Sequence, residues 1–207
     1  MPFIVFEGID GVGKSTQSQL LEGFLKDGGF PVLRVREPGG TPLGERIRDI
    51  LLDSSLNIDG WVETLLFFAS RRELCERVIK GALSEGSYVI GERFTLSTYA
   101  YQGYLRGVSL EFIRNLEKNL VNLPESPFYI VLDLEPEHAL SRKKRDDRIE
   151  RESVEFFIKL RNAYLELARV EKNVRIVDAS GEKDEVFERV LNLLRRERLL
   201  EDRWSFR

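Results

Sequence analysis

The run Gly8-Ile9-Asp10-Gly11-Val12-Gly13-Lys14-Ser15 is a full match to the pattern G-x-x-x-x-G-K-[ST]. Such a run can turn successive backbone N–H groups inward around a polyanion, with glycine wherever a side chain would clash or φ must be unusual. The lysine can reach the outer phosphates of a nucleotide, and the serine hydroxyl can ligate Mg²⁺. A helix beginning near Lys14 adds its positive end. Gly8, Asp10, Gly11, Val12, Gly13, Lys14, Ser15 and Thr16 are therefore the candidate phosphate-binding residues. A glycine-rich turn with a chance lysine is the alternative. The apolar run before the motif and the helical pattern after it favour the cradle.

The elements around the cradle follow from periodicity. Short apolar runs at Phe3–Phe6, Val32–Val35, Tyr88–Ile90, Phe128–Leu132 and Val174–Val177 read as buried strands, apolar on both faces. Charged, helically periodic segments separate them: Lys14 to about Asp27, Trp61–Leu83, Glu152–Val170 and Glu185–Leu200. On these helices Leu65, Phe68, Leu74 and Val78, then Phe156, Leu160, Tyr164 and Leu167, and finally Val186, Val190, Leu193 and Leu194 are assigned to the core. The alternation predicts an α/β protein with a parallel sheet, in one domain over 1–207.

Composition removes whole classes of chemistry. Lys plus Arg total 32 against 35 Asp plus Glu, a net charge of −3, so the chain is not a globally basic nucleic-acid binder. Cys75 is the single cysteine and His138 the single histidine, which excludes a disulfide framework and makes zinc or paired-histidine chemistry hard to build. No apolar run approaches a membrane span, and Pro2–Phe6 resembles neither a basic leader nor a cleavage site. The expectation is a cytoplasmic protein with no membrane or nucleic-acid partner.

In an open parallel sheet, ligands lie beyond the carboxyl ends of the strands. The residues there are Arg36-Glu37-Pro38-Gly39-Gly40, then Glu92-Arg93-Phe94 with Ser97-Thr98 and Tyr101-Gln102-Gly103, then Asp133, and finally Asp178-Ala179-Ser180-Gly181. Both Glu92 and Asp133 follow apolar strands and compete for a magnesium role. No N-K-x-D element for guanine was found.

Together with Asp10 inside the cradle, Phe67-Phe68-Ala69-Ser70-Arg71 and Arg161 to Ala168, these segments resemble the bacterial thymidylate kinases, in order, from about residue 3 to 181. The resemblance implies a three-layer P-loop kinase sandwich with a five-stranded parallel sheet. It implies ATP-dependent phosphorylation of dTMP to dTDP with Mg²⁺, usually by a homodimer. It favours Glu92 over Asp133 at the metal, although the family's usual residue there is Asp. It also places Arg93 on the acceptor phosphate and the transferring group, Arg36 on the acceptor, Tyr101 against the deoxyribose, Ser97 and Thr98 along the pocket, and Asp10 at the 3′-hydroxyl.

The chemistry of the residues agrees with those roles. Arg71 and Arg93, from different elements, can clamp the acceptor phosphate in bidentate fashion. Phe67 can stack on a pyrimidine, and the Gln102 amide offers both a donor and an acceptor to its edge, with Arg71 adding a bond to a ring carbonyl. Glu37 and Pro38 turn the chain at the acceptor site, where a cis Glu37–Pro38 bond is expected. One subclass of the family has arginine where this chain has Gly11. The missing cation is therefore expected from a lid at about 141–150, supplied by Arg142, Arg145 or Arg148. Such an arginine contributes roughly 10³ to 10⁵ in rate. The adenine contacts are the least visible, with Arg142 and the Ala179-Ser180-Gly181 turn as candidates, and helices in the 44–80 region are the expected dimer face. A related nucleotide or deoxynucleoside kinase, or a nucleotide-driven regulatory switch, are the competing readings.

Overall fold

The computed structural model describes residues 1–142 and 153–200. Five strands, β1 Phe3–Glu7, β2 Val32–Arg36, β3 Tyr88–Glu92, β4 Phe128–Asp133 and β5 Val174–Asp178, form one parallel sheet in the order β2-β3-β1-β4-β5. Each runs to a polar residue just past the expected apolar run, because backbone pairing does not need an apolar side chain. Those end residues are Glu7, Arg36, Glu92, Asp133 and Asp178, and registers such as Arg36↔Glu92 and Asp133↔Asp178 set them side by side.

Every residue of β1 is buried, as a central parallel strand requires. The expectation of two apolar faces fails for β2 and β5. Arg34 and Arg36 on β2 and Ile176 and Asp178 on β5 are exposed, because each of these strands borders the sheet and has a neighbour on one side only.

Helices α1 Lys14–Asp27, α2 Pro42–Leu52, α3 Gly60–Leu74, α4 Lys80–Ser84, α5 Thr95–Thr98, α6 Leu110–Leu120, α7 Pro136–Ser141, α8 Val154–Val170 and α9 Lys183–Arg196 flank the sheet. The expected helical stretch at Trp61–Leu83 is present as α3 and α4 joined through a π-helical turn, Cys75–Ile79. Its buried face differs from the expected one: Leu65 is 51% exposed, while Glu63 and Thr64 are buried. Phe156, assigned to the core, is only partly buried, and its neighbour Phe157 takes the interior position. In α9, Val186, Val190, Leu193 and Leu194 are buried as their spacing predicts.

Sequence periodicity left out α2 and α6, although both carry start signals. The Thr41 hydroxyl accepts from Gly44 N with Pro42 in the first turn, and the Ser109 hydroxyl accepts from Phe112 N. The Glu37–Pro38 peptide is cis, as expected.

Candidate active site

The cradle connects β1 to α1. Gly8, Gly11 and Gly13 have φ of 124°, 84° and 97°, all in the region open chiefly to glycine. At Gly11 the backbone of α7 also intrudes, since a Cβ there would lie 1.9 Å from the Ala139 carbonyl oxygen. This member of the cradle therefore cannot carry a side chain with α7 in its present place. Lys14 is only 9% exposed. Its Nζ donates to the carbonyls of Gly8 (3.0 Å) and Ile9 (2.7 Å) and lies 3.6 Å from the Asp10 carboxylate.

The two strand-end acids have different partners. Ser15 Oγ donates to Glu92 Oε2 at 2.5 Å. Ser18 Oγ and Arg34 Nη1 donate to the other Glu92 oxygen, at 2.7 and 3.0 Å. Asp133 is instead held by Arg161 on α8 through Nε (2.6 Å) and Nη2 (3.1 Å). Ser15 and Glu92 form a pair of hard oxygen donors at the end of the cradle. Among the described residues no cluster of three or more His, Cys, Asp or Glu could hold a metal ion alone. Such a pair suits an ion like Mg²⁺ that takes most of its ligands from phosphate and water.

Beside the cradle lies a cavity that collects the acceptor candidates. It is lined by Asp10, Lys14 and Ser15, by Arg36, Glu37 and Pro38 after β2, by Phe67 and Arg71 from α3, and by Glu92, Arg93, Ser97, Thr98, Tyr101 and Gln102 after β3. Arg93 sits at φ 64° immediately after β3. Its Nη2 is 2.6 Å from Asp10 Oδ1, and its Nη1 donates at 3.2 Å to Gly8 O, Ser97 Oγ and Tyr164 OH. The guanidinium also lies 5.2 Å from the Tyr101 ring centroid.

Arg71 is 1% exposed and stands between the rings of Phe68 and Phe94. Its Nε donates to Glu37 Oε2 (2.8 Å), with Nη2 at 2.7 Å from the same oxygen and 3.1 Å from Thr98 Oγ1. Its Nη1 has no hydrogen-bond partner among the described residues. Burial pushes the Glu37 carboxyl up to about 7, against the pull of Arg71. A buried guanidinium with one open fork, in a cavity lined by a second one, is built to receive an anion.

Three contributors escaped sequence reading. Glu7, fully buried at the end of β1, accepts from Phe94 N, Ser97 N, Ser97 Oγ and Tyr164 OH, and so fixes the loop that carries Arg93. Its signal was a charge between an apolar strand and a glycine. Arg48 of α2 lines the cavity and donates to Pro38 O at 3.0 Å. Glu63 of α3 accepts from Gln102 Nε2 at 3.1 Å. One of the two N–H groups of the Gln102 amide is thereby committed to α3.

A second cavity opens on the other side of the same cradle. It shares Asp10, Lys14 and Ser15 and adds Gly11, Val12, Gly13, Thr16, Arg142, Ala179 and Gly181. Ser180 does not line it. Its N–H and hydroxyl both turn to the Asp178 carboxylate, which leaves its two neighbours to form the wall. Arg145, Arg148 and most of the expected lid lie outside the described residues.

The family model described as Thymidylate kinase matches residues 6–190, nearly the whole chain. The chain belongs to the thymidylate kinase family. A thymidylate kinase of Thermosipho africanus is 45% identical over 196 residues, covering 93% of this chain and 96% of that one. That of Nitrosospira multiformis is 44% identical over 188 residues, covering 89% and 92%. The crystal structure of thymidylate kinase from Ehrlichia chaffeensis superposes with a TM-score of 0.76 at 31% identity, over 94% of this chain and 98% of that one. The five-stranded parallel sheet and its flanking helices are therefore the thymidylate kinase fold, with the cradle on its central strand.

Proposed function

We propose that the chain transfers the γ-phosphoryl group of ATP to dTMP, giving ADP and dTDP. The observation that carries this reading is that two cavities meet at one cradle, with Asp10, Lys14 and Ser15 common to both. One cavity takes the donor and the other the acceptor, and an in-line transfer needs the two phosphates to face each other there.

In the transfer the bond from the γ-phosphorus to the β–γ bridging oxygen breaks, and a bond to an acceptor phosphate oxygen forms. The acceptor oxygen is already ionised, so no strong base is needed. Positioning and charge carry the rate. The backbone of Gly8–Gly13 and the start of α1 cradle the donor phosphates, with Lys14 leaving its loop carbonyls for them. Arg71 presents its open Nη1 to the acceptor phosphate. Arg93, tethered by Asp10, Ser97 and Tyr164, reaches between acceptor and transferring group. Arg36 closes the far end, Phe67 stacks on the base, and Tyr101 and Thr98 bound the sugar side. Ser15 and Glu92 would hold Mg²⁺, which supplies charge neutralisation on the donor phosphates when bound. The remaining cation comes from the lid at about 141–150, because the packing of Gly11 against Ala139 leaves no room for a side chain at position 11.

A homodimer is part of the proposal. Leu43, Ile50, Leu56, Trp61, Val62 and Leu65 are exposed large apolar residues on or beside α2 and α3. Their concentration on one stretch of chain suits a second copy, and it gives a reason for the exposure of Leu65. No helix among the described residues is long and apolar enough to cross a membrane. Cytoplasmic residence without a nucleic-acid partner is proposed with it.

Coupled ADP-release assays with dTMP, dUMP, dCMP and thymidine test the reading. Highest kcat/KM is expected on dTMP, and a better substrate among the other three would replace the assignment with a related kinase. Slow nucleotide hydrolysis indifferent to dTMP would indicate a regulatory switch instead.

A further inference from the structure

Gln102 is 2% exposed and lines the acceptor cavity. Its backbone is pinned, since its carbonyl accepts from Val108 N at 2.9 Å within the turn that closes the π-helical segment Tyr99–Leu105. What decides its chemistry is the side-chain amide, whose two ends have opposite hydrogen-bonding character. Glu63 is equally buried, in the first turn of α3, and its Oε2 lies 3.1 Å from Gln102 Nε2. A carboxylate only accepts, so the amide can satisfy it only by turning its NH₂ group toward α3. The other end, Oε1, receives no hydrogen bond from the described residues.

From this geometry we infer that Glu63 is a positioning residue for base selection: it locks the Gln102 amide so that a carbonyl oxygen, rather than an NH₂ group, reads the edge of the acceptor base. The inference rests on the proposed dTMP kinase activity. An acceptor at that point requires a donor on the base. The imide N–H at ring position 3 of thymine or uracil supplies one. Cytosine has a lone pair at that atom, and two lone pairs facing each other in a desolvated pocket repel. An amide without Glu63 could rotate by half a turn and offer NH₂ to cytosine. Phe67 lies four residues beyond Glu63 on the same helix and lines the same cavity, so α3 supplies the stacking ring and also orients the group that reads the base edge.

The test is steady-state kinetics of the full chain and of Glu63→Gln and Glu63→Ala with dTMP, dUMP and dCMP, together with KM for ATP. The preference for dTMP over dCMP should fall about tenfold or more, as discrimination built on a buried hydrogen bond relaxes. The dTMP to dUMP ratio and KM for ATP should stay as in the parent, because both imide bases offer the same N–H. In a Gln102→Ala background, Glu63→Gln should change the base preference no further. An equal loss on all three substrates would reduce Glu63 to a packing role and overturn the inference, as would an unchanged dTMP to dCMP ratio. Glu63→Gln keeps the side-chain volume, so the test survives a misfolded alanine variant. Calorimetric binding of dTMP and dCMP reads the same ratio without turnover. Failure of the parent to phosphorylate dTMP would thus be seen separately from failure of Glu63 to orient Gln102.

Discussion

Arg93 Nη2 stands 2.6 Å from Asp10 Oδ1, joining the arginine after β3 to the acid inside the cradle across 83 residues of sequence. The pairing gives the carboxylate among the cradle glycines a cationic partner. Asp10, which lines both cavities, holds the Arg93 guanidinium in the first of them, with Gly8, Ser97 and Tyr164 as further tethers. Arg71 lines the same acceptor cavity. The cradle and its two arginines therefore face a common space, which phosphoryl transfer between two bound nucleotides requires.

Lys14→Ala should lower kcat by roughly 10²-fold or more, the scale for losing one preorganised charge at a transferring group. Its Nζ donates to the Gly8 and Ile9 carbonyls and pairs with Asp10, all within the loop that carries it, so the thermal midpoint should move little. Turnover and circular-dichroism melting check both halves, and near-normal kcat would contradict the role given to Lys14.

Gly11→Ala places a Cβ 1.9 Å from the Ala139 carbonyl oxygen at φ 84°. Gly29→Ala is a matched control, with φ 81° and nothing within 4 Å of its Cβ. Backbone strain of about 1 kcal/mol or more is common to both. The excess loss in Gly11→Ala, read as a larger drop in melting temperature and a raised KM for ATP, reports the displacement of α7. Equal losses in the two variants would mean that α7 does not bear on the cradle.

The Glu37 carboxyl, raised from 4.5 to about 7 by burial, makes stability depend on pH. Between those values the folded chain carries more protons than the unfolded one. This contribution is therefore complete below pH 4.5 and is lost as pH rises through 7, by up to about 3 kcal/mol. Denaturant unfolding from pH 5 to 8.5 should show wild type declining relative to Glu37→Gln, which lacks the titration. Parallel pH profiles would show that Glu37 stays ionised against Arg71 throughout.

Cys75 is fully buried, and that burial pushes its thiol up to about 12. Native protein at pH 8 should resist an aromatic disulfide reagent and react with one equivalent after unfolding in guanidinium, since thiolate and access are both required. Rapid labelling of the native state would show that the joint between α3 and α4 opens readily.

Much of the site was legible because its signals are local. A cradle is eight consecutive residues, a strand is a short apolar run, and the polar residues just past each run must lie at one end of a parallel sheet. Arg71, Arg93, Phe67, Tyr101 and Gln102 could be nominated in this way and by family resemblance, and all of them line one cavity. The starts of α2 and α6 were also present in Thr41-Pro42 and Ser109, but as caps rather than as periodicity.

The sequence by itself determined the α/β alternation, the glycine-rich turn between β1 and α1 and the set of side chains available to meet it, because each depends on neighbours a few residues away. Only the tertiary structure decided which partner each side chain takes. Asp133 goes to Arg161 and Glu92 to Ser15, Leu65 is turned outward while Glu63 is buried, and the Gln102 amide is oriented by an acid 39 positions earlier. These choices follow from strand order and helix packing. A hydrogen bond acts over about 3 Å of space and is indifferent to the length of chain between its ends.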